Sequence, residues 1–175
     1  MALETLPFES EAAAVQFVRQ RLEPHCSSFA IEPVLFGGLR PDIGLRLKGL
    51  DIPLCIEVKR FKGDQQLSNL TDGIAQAACY AAVVQRPAFV APFSGSSVGD
   101  LHQDRRVAGA ILAAGQFSVG ALMFSKYRAG ELLFAMAGQV IIRVNEEGIE
   151  LQSKSMQLLK FKQRAGSQTW RREAS

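Results

Sequence analysis

The chain is poor in the residues from which disulfide frameworks and zinc sites are made. Its three cysteines, Cys26, Cys55 and Cys79, are odd in number, widely spaced and contain no C-x-x-C pair. That pattern indicates neither a disulfide framework nor a structural zinc site. Cys55 and Cys79 stand in apolar runs and read as small core residues, which fits a reducing cytoplasm. The two histidines, His25 and His102, have no partner at metal-ligand spacing and read as surface or loop residues. No internal repeat and no long linker is visible. The opening MALETLP carries an acid where a secretory leader needs base, so a cytoplasmic location is expected. Residues 107–124 hold no charge, but Gly109, Gly115, Gln116, Ser118 and Gly120 divide them into a helix and then a strand, not a membrane span.

What is present is ordinary in bulk and uneven in placement. A chain of 175 residues with 47% hydrophobic and 21% charged residues suits one globular domain with a sizeable core. The net charge of +3 is too mild to argue by itself for a polyanion partner. Its distribution says more: residues 153–175 hold Lys154, Lys160, Lys162, Arg164, Arg171 and Arg172 against the single acid Glu173. Such a segment suits a phosphate backbone, or is simply a solvated terminus. The expected organisation is one domain over residues 1–153 and a basic tail over 154–175.

Periodicity and turn residues predict a helix over 8–23, with Ser10 as N-cap, Pro24 as stop, and Val15, Val18 and Leu22 as its apolar stripe. Three β-like runs follow over 29–36, 42–47 and 52–59, the last entered through Gly49-Leu50-Asp51. A helix is expected over 68–85, a buried strand over 88–93, a polar loop over 94–104, a helix over 105–116 and a strand over 119–124. A β-meander over 131–135, 140–144 and 149–152 would turn at Ala137-Gly138 and Asn145–Gly148. The expected class is α/β: a mixed central sheet flanked by helices, with a C-terminal β extension.

The chemistry concentrates on the second and third of these strands. Asp42 follows Pro41 where the second begins, and Glu57-Val58-Lys59 ends the third. Glu57 and Lys59 project from one face, Ile56 and Val58 from the other. A short connection can bring Asp42 close to Glu57, and two converging carboxylates repel unless a cation lies between them. A hard divalent ion with oxygen ligands, Mg²⁺ above all, relieves that repulsion. Singly, Asp42 also fits a turn residue after proline, and Glu57 with Lys59 an exposed ion pair. The run Leu54-Cys55-Ile56 makes the strand look central, however, and a charged pair ending a buried strand needs a reason.

Pro41-Asp42 followed by Glu57-Val58-Lys59 resembles the signature of the PD-(D/E)XK nuclease superfamily. Gln76 and Tyr80, spaced Q-x-x-x-Y on the next helix, are similar to the motif of its RecB-like and lambda-exonuclease-like branch. Glu11 resembles the additional helical acid that many members carry, though an acid in the first turn of a helix is also favourable on its own account. The resemblance covers roughly the first half of the chain, by element order. It implies a restriction-endonuclease-like αβββαβ core and metal-dependent hydrolysis of DNA phosphodiester bonds. Asp42, Glu57 and the Val58 backbone carbonyl would hold Mg²⁺, with Mn²⁺ as a substitute, and Glu11 would join directly or through water. Lys59 would orient or help deprotonate the attacking water, or offset transition-state charge. Gln76 and Tyr80 would line the site, or serve only as helix packing. Arg60 and Lys62 would contact phosphate. Some relatives hold an iron–sulfur cluster through four cysteines; with three here, that cofactor is not expected. A homodimer meeting over 131–152 is a reasonable expectation for so small a nuclease. A non-catalytic nucleic-acid-binding or assembly protein on the same fold is the alternative. Endonuclease or exonuclease action, DNA or RNA, and one metal or two stay open at this level.

Overall fold

A computed structural model describes residues 10–60, 66–93, 105–124 and 130–152. The loop expected over 94–104, the basic tail, Lys62 and His102 lie outside them. Helix α1 (Glu11–Leu22) starts at the predicted cap, where the Ser10 hydroxyl accepts the Ala13 N–H at 3.1 Å. It buries Ala14, Val15, Val18 and Leu22. Removing this exposed cap by Ser10→Ala is expected to cost about 1 kcal/mol, read as a small drop in the thermal unfolding midpoint.

Strands β1 (Cys26–Ile31), β2 (Ile43–Leu47) and β3 (Pro53–Arg60) form an antiparallel meander. Helix α2 (Gln66–Val84) then leads to β4 (Ala88–Phe93), and α3 (Arg105–Ala114) precedes β5 (Val119–Phe124). Strands β3, β4 and β5 run parallel, and parallel neighbours need crossovers of this kind. Both crossovers advance the sheet in one direction, so a common hand puts both helices on one face; α2 and α3 do pack against each other. Strands β6 (Leu132–Met136), β7 (Gln139–Asn145) and β8 (Gly148–Leu151) complete an antiparallel extension. The result is one eight-stranded mixed sheet whose spatial order is its chain order, with β1 and β8 at the edges. No helix among the described residues is long and apolar enough to cross a membrane.

The core lies on the central strands. Phe89 of β4 and Phe134 of β6 meet edge to face across β5, with centroids 4.9 Å apart. Gly120 makes this possible, because a Cβ there would stand 2.7 Å from the Phe89 ring and press on the Ala135 carbonyl oxygen. The β6–β7 turn falls at Ala137-Gly138, both with positive φ, the two-residue geometry that matches strand twist. At the next turn the Asn145 side chain accepts the N–H groups of Glu147 and Gly148 at 2.9 and 3.1 Å.

The first strand differs from its expected range of 29–36. It begins at Cys26 and leaves the sheet after Ile31, because Glu32 adopts φ 47° and Pro33 has no N–H for the ladder. Its half-buried, half-polar face, with Ser27 and Ser28 exposed, hides the start from an apolar-run reading. Cys55 is buried as expected, but Cys79 is exposed. The buried stripe of α2 runs through Leu70, Gly73, Ala77, Tyr80, Ala81 and Val84, and Cys79 falls off it. The helix expected over 105–116 ends at Ala114, followed by a single 3₁₀ turn, Gly115–Phe117.

Candidate active site

Backbone register brings the acids together. The last ladder pair of β2 and β3 joins Ile43 to Ile56; one residue beyond it, Asp42 stands opposite Glu57. Having run out of β2 partners there, the Val58 N–H donates to Asp42 Oδ2 at 2.6 Å. The carboxylate thus extends the ladder by one bond and is pinned to β3. In a strand, the N–H and C=O of one residue point to the same side. The Val58 carbonyl therefore faces the same side as Asp42.

Glu57 is 3% exposed, and both its oxygens are engaged. Lys59 Nζ lies 2.9 Å from Oε1, and the Tyr80 hydroxyl 2.9 Å from Oε2. The same hydroxyl lies 3.1 Å from the Arg40 carbonyl oxygen. Tyr80 therefore ties α2 both to the acid of β3 and to the segment that delivers Asp42. Burial first, then the bond to Glu57 and the charges of Glu57 and Asp42, hold its phenol far above the ordinary value, so it remains a donor. Tyr80→Phe is expected to lower stability by about 1–3 kcal/mol, the cost of leaving a buried charged acceptor short of one donor, measured by denaturant unfolding.

The electrostatics of the cluster are unequal. Burial pushes the Asp42 carboxyl up to about 6; the Val58 N–H works against this, the Glu57 charge adds to it, Lys59 opposes and Glu11 adds. Lys59 is drawn down by its burial. The hydrogen bond and charge of Glu57, with the charges of Glu11 and Asp42, outweigh that and leave it above the ordinary lysine value. Its side chain is therefore an ammonium across the physiological range.

Glu11 is exposed at the first turn of α1, with its charge felt at both Asp42 and Lys59. Gln76 lies one turn from Tyr80 but is exposed, at the rim of the helix face rather than in the buried polar cluster. Arg60 closes β3. Two further groups that no motif or spacing marks belong to the cluster, the Arg40 carbonyl beside Tyr80 and Gly73, against which the Lys59 stem lies. The glycine's signal was its place within an alanine-rich helix.

Among the described residues no three histidine, cysteine or acidic side chains form a metal-holding group. Magnesium does not require three, since it is often held by one or two carboxylates and keeps several waters. Asp42, Glu57 and the Val58 carbonyl are a hard-oxygen set of that size. Burial, with the Glu57 charge added, raises the Asp42 carboxyl, and a cation beside it would favour its charged form. By the chemistry of its donors, the cluster fits the ion.

No family model matches the chain, and no curated protein matches it. A solved structure to which it is similar is that of SfsA from Pyrococcus furiosus in complex with Ca²⁺. The two share 12% identity over 77% of this chain and 62% of that one, with a TM-score of 0.35. The chain thus spans less than two thirds of that structure's length, and at this score the likeness carries no functional argument.

Proposed function

We propose that the chain is a divalent-metal-dependent nuclease of the PD-(D/E)XK type, hydrolysing DNA phosphodiester bonds with Asp42, Glu57 and Lys59. One observation carries this reading: a buried acid and an ammonium end a central strand, with a second acid pinned opposite them by a backbone N–H. Structural ion pairs of this burial are rarely worth their desolvation, whereas a carboxyl raised by burial, Asp42, set opposite a second, buried acid suits a chemical task. The succession of α1, three antiparallel strands, α2 and a parallel strand supports the same reading.

Asp42, Glu57 and the Val58 carbonyl would hold the ion. When bound, Mg²⁺ lowers the pKa of a coordinated water and polarises the phosphoryl oxygen. The protein's own groups do the rest. Glu57 is held in one orientation by Tyr80 and Lys59, so its geometry is set before substrate arrives. Lys59, held charged, is poorly suited to take a proton from water. It serves instead to orient the nucleophile and to offset charge developing on the phosphate oxygens. Burial strengthens that interaction, because the local dielectric is below that of water. Arg60 and Lys62 extend positive charge along the chain beyond the site and are proposed as phosphate contacts.

The test is cleavage of single-stranded, linear duplex, circular and branched DNA with Mg²⁺, Mn²⁺ or EDTA. Metal-dependent cutting that EDTA stops supports the proposal, and the substrate pattern separates attack at ends from attack within. A second reading is favoured by one fact, that both Glu57 oxygens are satisfied without a metal: a non-catalytic nucleic-acid-binding protein in which the cluster is structural. Salt-sensitive DNA binding without cutting by any preparation would select it.

A further inference from the structure

Glycine weakens a helix interior relative to alanine, yet Gly73 stands inside the 19-residue α2, in a stretch otherwise rich in alanine. Its φ is not in the positive range that would call for glycine. Space calls for it instead. A Cβ at position 73 would lie 2.5 Å from Lys59 Cγ and 3.5 Å from Lys59 Cβ and Cδ. The first of these is closer than two carbons can stand. The lysine stem thus crosses α2 over the bare backbone of Gly73 before Nζ turns to Glu57. Seven residues further on, two turns along the same buried face, Tyr80 holds the other oxygen of Glu57. One helix face therefore carries a notch for the lysine and a prong for the acid.

We propose that Gly73 is a positioning residue: its missing side chain sets the path of Lys59 and holds the ammonium against Glu57. The contact is at Cγ, near the root of the side chain. A methyl group there cannot be avoided by movement of the chain's far end. It forces a new χ1 or a shift of α2 away from β3, and either one relocates Nζ. Gly73 touches no reacting atom and acts through Lys59 alone. The importance of that position for cleavage rests on the nuclease reading, whereas the positioning itself does not.

The experiment is a double-mutant cycle with Gly73→Ala and Lys59→Ala, read by thermal unfolding and by cleavage kinetics in Mg²⁺. If Lys59→Ala alone prevents folding, Glu57→Gln is added to every member of the stability cycle, and kcat is compared between the unaltered protein and Gly73→Ala alone. With Lys59 present, Gly73→Ala is expected to lower the unfolding midpoint by about 2–4 °C and kcat about tenfold or more, with KM little changed. With Lys59 replaced by alanine, the same change is expected to raise the midpoint, because the clash is gone and alanine is the better helix former. A rise of equal size in both backgrounds, with kcat unchanged, overturns the proposal. The predicted coupling in stability, combined with no cleavage by the unaltered protein, upholds the positioning and overturns the nuclease reading instead.

Discussion

Lys59→Met is expected to lower metal-dependent cleavage about 100- to 1,000-fold, the loss typical of removing one preorganised transition-state donor, while the protein still folds. Methionine retains most of the apolar stem over Gly73, so the packing of α2 on β3 survives and the charge alone is removed. The stability cost comes from Glu57. With its side chain 4% exposed against 19% for Lys59, it is left, among the described residues, with Tyr80 as its side-chain donor. Breaking a buried pair from one side costs about 3–5 kcal/mol, and the partial exposure of Lys59 puts this case at or below the lower end. Denaturant unfolding of the variant therefore belongs beside the kinetics. The double variant Glu57→Gln/Lys59→Met is expected to regain stability without regaining cleavage. That recovery assigns the stability cost to the unpaired Glu57, and cleavage by Lys59→Met measured well below its own unfolding midpoint separates a folding defect from a chemical one. Cleavage by Lys59→Met at the rate of the unaltered protein would remove Lys59 from the mechanism.

The legible parts of this fold were those in which residue type and spacing act locally. Ser10 and Pro24 bound the first helix by capping and by the lack of an N–H. The alternation Ile43, Leu45, Leu47 marks a half-buried strand, and Ala137-Gly138 a tight hairpin. The juxtaposition of Asp42 with Glu57 was readable because β2 and β3 are antiparallel neighbours joined by a short turn. What stayed hidden depends on contacts between elements distant in sequence. Ser28 belongs to a strand because it pairs with Arg46 of β2, and Ser27 because it fills the irregularity beside it, not because they are apolar. Cys79 and Gln76 share a helix with Tyr80, yet only the packing of α2 on β3 decides which side of it is buried. Gly73 was visible as a poor helix former, but its reason lies 14 residues back, in the stem of Lys59. Spacing alone singles out the tyrosine; its link to the Arg40 carbonyl exists only once α2 lies beside the segment leading into β2.

Asp42 offers a test in which stability and metal response move in opposite directions. Its carboxyl is raised from 3.8 to about 6, by burial first and then by the charge of Glu57, against the Val58 N–H. The folded protein thus binds this proton more tightly than the unfolded chain does. The resulting stabilisation is complete below about pH 4 and is lost as pH rises through about 6. Above that, a charged Asp42 is a liability in the metal-free protein. Two pH units correspond to about 3 kcal/mol; solvent screening at a half-buried site reduces this to about 1–2 kcal/mol. Asp42→Asn keeps an oxygen for the Val58 N–H and removes the charge. In EDTA at pH 8 the variant is therefore expected to unfold several degrees above the unaltered protein, with the gap closing as pH falls to 4. Adding Mg²⁺ should reverse the order. The unaltered protein gains stability according to its affinity for the ion, and gains more at higher pH, where no proton competes for Asp42. The variant gains little and does not cleave. A variant less stable in EDTA at pH 8, or an equal response of both proteins to Mg²⁺, would show that Asp42 is held for structure and not for a cation.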